Sequence, residues 1–135
     1  MTEALAARPV SGLTYDHFLE DLRDPDLPGP AVSPRRFSEA LNIDLQTLAE
    51  QAGVHRNTIA RAPSSTTVQR FLRDALRVIK AGTDVTGGDV GRALFWYRNQ
   101  PLAPFGYKTA EQLVGAGRTE TLLRYIVSLS AGAAG

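Results

Sequence analysis

Between His55 and Arg61 the chain places His55, Arg56, Asn57, Ala60 and Arg61 around a single large apolar residue, Ile59. Arginine offers paired donors to guanine or to phosphate oxygens, and asparagine matches the donor and acceptor that adenine presents in the major groove. The alternative for each is a solvated surface residue, and for His55 both readings stand equally. Gln46 and Thr47 precede this segment where a supporting helix would meet a phosphate backbone. Further on, Arg70, Arg73, Arg77 and Lys80 recur at helical spacing opposite Val68, Phe71, Leu72, Ala75, Leu76 and Ile79. That basic stripe reads either as a row of phosphate contacts or as a solvated face. Catalysis is not expected. His17 and His55 lie in unrelated segments, there is no phosphate-binding glycine loop, and no carboxylate pair is spaced as acid and base. No cofactor is expected, and no metal site, for want of suitably spaced ligands.

The elements that must hold these side chains are short helices. From Leu45 to Ile59 the residues follow the logic of two helices crossing at a sharp turn. Ala49 is small where the second helix passes, Gly53 can take a left-handed backbone, and Leu48, Val54 and Ile59 face a shared core. This spacing predicts a DNA-binding helix-turn-helix, against the alternative of a purely structural helical hairpin. Capping residues and breakers predict the remaining helices. Thr14 caps a first one carrying Tyr15, Phe18, Leu19 and Leu22 on one face, and Ser33-Pro34 opens another over about 34–41. Asp44 caps 45–52, and residues 54–61 form the next. A longer helix runs over about 66–81, bounded by Gly82. Asp89 caps a helix to Tyr97 or Arg98, Thr109 a short one to Val114, and Thr119 a last one ending near Leu129. No period-two run bounded by hairpin turns is present, so the expected class is all-α, a small helical bundle.

At 135 residues the chain suits one compact body. Hydrophobic residues make up 43% and charged residues 21%, no apolar run approaches the roughly 20 residues a membrane helix needs, and no signal peptide is visible. Without cysteine there is neither a disulfide framework nor a thiolate site, and a cytoplasmic location is expected. The net charge of +1 conceals an asymmetry. Residues 1–33 carry six acids against Arg8 and Arg23, a balance of −4, which leaves +5 for the rest. Between Arg56 and Lys80 six basic residues meet only Asp74. A basic body with an acidic arm suits a polyanionic partner. The expected division is a flexible acidic arm with a short helix and proline-rich linker over 1–33, a helix-turn-helix domain over 34–82, and a third segment over 83–135.

That third segment carries a resemblance. An aromatic helix ends in Trp96, and Asn99-Gln100-Pro101-Leu102 leads into Phe105-Gly106-Tyr107-Lys108-Thr109. Ala110-Glu111-Gln112-Leu113-Val114, the turn Gly115-Ala116-Gly117-Arg118 and a last helix ending in Gly132 follow. Together with the preceding helix-turn-helix, from about residue 38 on, this resembles the Xre/MbcA/ParS type of antitoxin of RES-Xre toxin-antitoxin systems. The resemblance implies an antitoxin that occludes the active site of a RES-domain, NAD-consuming toxin and represses its own promoter by binding operator DNA. It implies toxin contacts at Pro101, Phe105, Tyr107 and Lys108 in the loop, at Arg118, Arg124 and Tyr125 on the last helix, and at Ser130, Gly132 and Gly135 in the tail. Tyr107-Lys108-Thr109-Ala110 departs from the glycine and proline that many relatives carry there. Phe95 and Trp96 are expected in the core. Leu122, Ile126 and Leu129, broadened by Leu123 and Val127, predict a largely buried last helix, packed on the body, on a second copy or on the toxin. A homodimer within a hetero-oligomeric toxin-antitoxin complex is expected, because a palindromic operator calls for two recognition helices. The rival reading is a stand-alone helix-turn-helix regulator whose C-terminal part only dimerises; a third is an interaction module that has lost DNA binding.

Overall fold

A computed structural model of the chain describes the backbone of residues 13–134 and the side chains of residues 13–131. Met1 to Gly12 and Gly135 lie outside it. Among the described residues eight α-helices follow one another: α1 Tyr15–Leu22, α2 Pro34–Leu41, α3 Leu45–Ala52, α4 Arg56–Arg61, α5 Thr66–Val85, α6 Val90–Asn99, α7 Ala110–Gly115 and α8 Thr119–Ala134. One 3₁₀ turn, Ala103–Phe105, joins α6 to α7. Among the described residues there is no strand, only two isolated bridges, Arg23 with Val32 and Leu102 with Lys108. No described helix is long and apolar enough to cross a membrane.

The caps act where their chemistry places them. Thr14, Ser33, Asp44 and Thr109 each accept a backbone N–H three residues on, and Asp89 accepts those of Gly91 and Arg92. Thr109 completes a capping box, with the Gln112 side chain accepting the Thr109 N–H at 2.9 Å. Thr119, expected as a cap, is instead the first residue of α8, with its hydroxyl buried and without a protein partner.

Helix α5 organises the core. It spans 20 residues, about 30 Å at 1.5 Å per residue, and packs against α2, α3, α6, α7 and α8. Val68, Phe71, Leu72, Ala75, Leu76 and Ile79 are all buried on it, as their spacing predicts. The helix passes through Gly82 to Val85, so the division expected after residue 82 falls inside it. Gly82 is there for contact rather than termination: a Cβ on it would stand 3.0 Å from the Trp96 ring. One apolar cluster then runs from Phe18 to Ile126.

The expected acidic arm is docked from Tyr15 onward. Phe18, Leu22, Ala31 and Val32 are buried, worth roughly 1.5–3 kcal/mol for each large side chain. Gln69, itself buried on α5, accepts the Val32 N–H at 3.0 Å and donates to the Val32 and Pro63 carbonyls at 2.9 and 2.8 Å. A buried amide with both donors and its oxygen engaged in this way fixes the linker to the body. Tyr15 adds an O–H bond to the Leu76 carbonyl at 3.2 Å.

One apolar expectation needs correction, and another is met on the body only in part. Phe95 is 70% exposed, whereas Trp96 packs against the core. The buried stripe of α6 is Val90, Ala93, Leu94 and Tyr97, which turns position 95 outward at 100° per residue. Helix α8 is buried only through Ile126: Val127 is 66% exposed, and Ser128, Leu129, Ser130 and Ala131 are exposed too. Leu129 continues the stripe of Leu122 and Ile126, but the body it would pack on has ended.

Candidate functional site

The α3–α4 pair is built around three side chains with almost no exposure: Leu48, Ala49 and Ile59. Gly53 ends α3 at φ +73°, and the Val54 N–H returns to the Ala49 carbonyl at 3.0 Å. This six-residue closure with a left-handed glycine turns the chain sharply into α4. Asp44 opens α3, and the Thr47 N–H, 2.7 Å from its carboxylate, holds that carboxyl below its ordinary range. Thr47 is half-buried, and Gln46 is exposed with its amide donating to Glu50.

Helix α4 starts at Arg56, with His55 as an N-cap that makes no side-chain capping bond. Ile59 is its buried residue, while His55, Arg56, Asn57, Ala60 and Arg61 are exposed. The side chains expected to meet base edges thus stand together on a helix that offers them to solvent. A shallow depression beside them is lined by Ala60 and Pro63 together with Asp24 and Arg35. Arg35, in the first turn of α2 and exposed, thereby joins the basic side chains near α4, and Asp24 brings an acidic one to the same rim. Neither was singled out from sequence, because each belongs to an element far from α4 in the chain.

The basic stripe of α5 divides. Arg70 and Arg73 are exposed. Arg77 is engaged: its guanidinium lies 2.7 Å from Glu120 on α8 and 3.5 Å from Asp74. Lys80 pairs with Asp84 at 3.6 Å and sits 5.5 Å over the Tyr15 ring.

The residues that the resemblance singles out fall into three groups. Arg118 and Tyr125 both meet Phe105: the Tyr125 ring stands edge-on to it with centroids 5.4 Å apart, and the Arg118 guanidinium lies 5.2 Å over it. Phe105 is buried, so this trio braces the loop on α8. Pro101, Tyr107 and Lys108 are exposed around it. The Leu102 N–H meets the Lys108 carbonyl at 3.0 Å and the Tyr107 N–H meets the Leu102 carbonyl at 2.9 Å, closing the loop into a ring. Arg124 is exposed on α8 and donates to Thr121 at 3.4 Å. Ser130 and Gly132 belong to the helical end of α8, not to an extended tail, and Gly135 lies outside the described residues.

One polar cluster joins the two halves. The Glu111 carboxylate accepts from Arg98 Nε at 3.3 Å and from the Gln51 amide at 3.1 Å, and Arg98 Nη1 donates to the Leu41 carbonyl at 2.8 Å. No protein-family model matches the chain, and no curated protein or solved structure matches it either.

Proposed function

We propose that this chain is a DNA-binding antitoxin, with α4 of a helix-turn-helix reading the major groove and the C-terminal third holding a RES-domain toxin. The observation that carries the DNA part is the one-sided burial of α4, where Ile59 is buried and His55, Arg56, Asn57, Ala60 and Arg61 are exposed. Arg56 and Arg61 suit guanine or phosphate and Asn57 suits adenine, with Arg70 and Arg73 as phosphate contacts. In cells, the chain would act in the cytoplasm as a homodimer within a toxin-antitoxin complex that represses its own promoter.

The partner part rests on the resemblance, supported by two exposed features. The ring-closed loop presents Tyr107 to solvent, and the end of α8 from Val127 to Ala131 carries no charge and stands clear of the body. An uncharged helix end with exposed Val127 and Leu129 suits an apolar cleft on a partner. The same exposed residues also favour the rival reading, in which they join two copies of a plain regulator.

Binding of the full chain to DNA from upstream of its own gene, measured by fluorescence anisotropy over a salt series, tests the DNA part. Asn57→Ala is expected to cost 1–3 kcal/mol on its preferred site, about the worth of one bidentate base contact. Equal loss on unrelated DNA would remove base reading. Co-expression with the adjacent toxin gene tests the partner part: rescue supports the antitoxin, and a dimer that rescues nothing supports the regulator.

A further inference from the structure

We propose that Glu111 is a positioning residue for the α3–α4 pair, fixing with Arg98 the angle at which α4 is presented. The inference rests on the DNA-binding reading for its consequence, but its geometry is independent of that reading.

Glu111 lies in the first turn of α7 with its side chain 11% exposed, and Arg98 lies in the last turn of α6. Their contacts reach two further helices. Gln51, which donates to Glu111, is in the last turn of α3, two residues before the Gly53 turn into α4. Leu41, whose carbonyl accepts from Arg98, is the last residue of α2. A cation at a helix C-terminus meets both an orphan carbonyl and the negative end of the helix dipole. One carboxylate and one guanidinium therefore tie the ends of α2, α3, α6 and α7 at a single point.

The end of α7 lies against the same residue: a Cβ on Gly115 would be in ordinary contact with the Gln51 backbone at 3.9 Å, so the polar cluster sits where the two helices already touch. Hydrogen bonds are directional where apolar contact is not. A nearly buried carboxylate that keeps both donors adds a directional tie to the apolar packing of Leu48 and Ala49, and so narrows the arrangements open to α3. Because α4 follows α3 through a three-residue turn, a tilt of α3 carries His55 to Arg61 with it.

Since the chain has no cysteine, paired spin labels on Ala60→Cys and Ala103→Cys report the distance from α4 to the C-terminal part. Glu111→Gln and, separately, Gln51→Ala are expected to broaden or shift that distance while the melting temperature stays within a few degrees. Both are also expected to weaken binding to the preferred DNA site about tenfold, leaving affinity for unrelated DNA and its salt slope unchanged. Should Glu111→Gln fail to fold, Gln51→Ala decides the matter. Unchanged distances in both variants overturn the proposal. If the unsubstituted chain shows no preferred site, the DNA reading fails while the distances still decide the positioning role.

Discussion

The guanidinium of Arg77 on α5 grips the carboxylate of Glu120 on α8 through two hydrogen bonds, Nη1 at 2.7 Å and Nη2 at 3.3 Å. The forked geometry matches a carboxylate better than a single charge would. It raises the arginine's affinity for its proton and lowers the carboxyl of Glu120 below its ordinary value. An arginine held this way must leave Glu120 before it can grip a phosphate, and its neighbours on the same stripe, Arg70 and Arg73, have no such tie to α8.

On the DNA-binding reading the stripe should therefore divide in a salt titration. Arg73→Ala is expected to lower the slope of log affinity against log salt by about one, the signature of one lost phosphate contact. Arg77→Ala is expected to leave it unchanged. A slope that falls equally for both would mean that Arg77 exchanges Glu120 for DNA.

Most of the helices were legible because capping is local. Thr14, Ser33, Asp44, Asp89 and Thr109 announce helix starts through side-chain bonds to backbone two or three residues away. The exposure of Phe95 was legible too, since Val90, Ala93, Leu94 and Tyr97 already define the buried stripe, but the aromatic run obscured it. Gly82 was read as a stop because its reason lies in Trp96, fourteen residues on. The docking of the acidic arm depends on Gln69 meeting Val32, and the Arg98–Glu111–Gln51 cluster on contacts up to sixty residues apart. No local pattern encodes either. For the candidate site, the exposed residues of α4 were named from sequence, whereas Arg35 and Asp24 needed the fold.

Gly82→Ala should destabilise the protein although it replaces a glycine in a helix. Helix propensity alone would favour alanine by about 0.5–1 kcal/mol. Against this, the new methyl would press on the Trp96 ring at 3.0 Å, and overpacking of that kind costs roughly 1–3 kcal/mol. A lower urea midpoint with an altered emission from Trp96, the sole tryptophan, is the expected result. A raised midpoint would mean the ring moves aside freely.

Stability should fall in alkali through Tyr15. Burial, then the charge of Asp16, pushes its hydroxyl up to about 12 from an ordinary 10. The folded state holds this proton more tightly than the unfolded chain does, so the contribution is complete below pH 10 and is lost as pH rises from 10 to 12. Burial of the Tyr97 hydroxyl acts in the same direction. Urea midpoints of Tyr15→Phe should decline less steeply over that window than those of the unsubstituted chain. At pH 7 the same variant should lose about 0.5–1.5 kcal/mol, because its bond to the Leu76 carbonyl is gone. Parallel pH profiles would remove Tyr15 as a source of the alkaline loss.

Tyr107 combines strain with exposure, and the two together make a prediction about what its ring is for. Its φ of +66° is a left-handed conformation that costs a bulky residue about 1 kcal/mol or more. The ring is 71% exposed, so little apolar burial offsets that cost. The Leu102–Lys108 closure, the Tyr107 N–H bond to the Leu102 carbonyl and the left-handed Gly106 hold the backbone in this turn. Asparagine tolerates this conformation, so Tyr107→Asn should raise stability by up to about 1 kcal/mol, read as a higher urea midpoint. On the antitoxin reading the same variant should capture its toxin less well. Stability gained with binding lost is the pattern of a side chain kept for contact. A loss of stability would show that the ring packs on the body, and unchanged capture would take Tyr107 out of the interface.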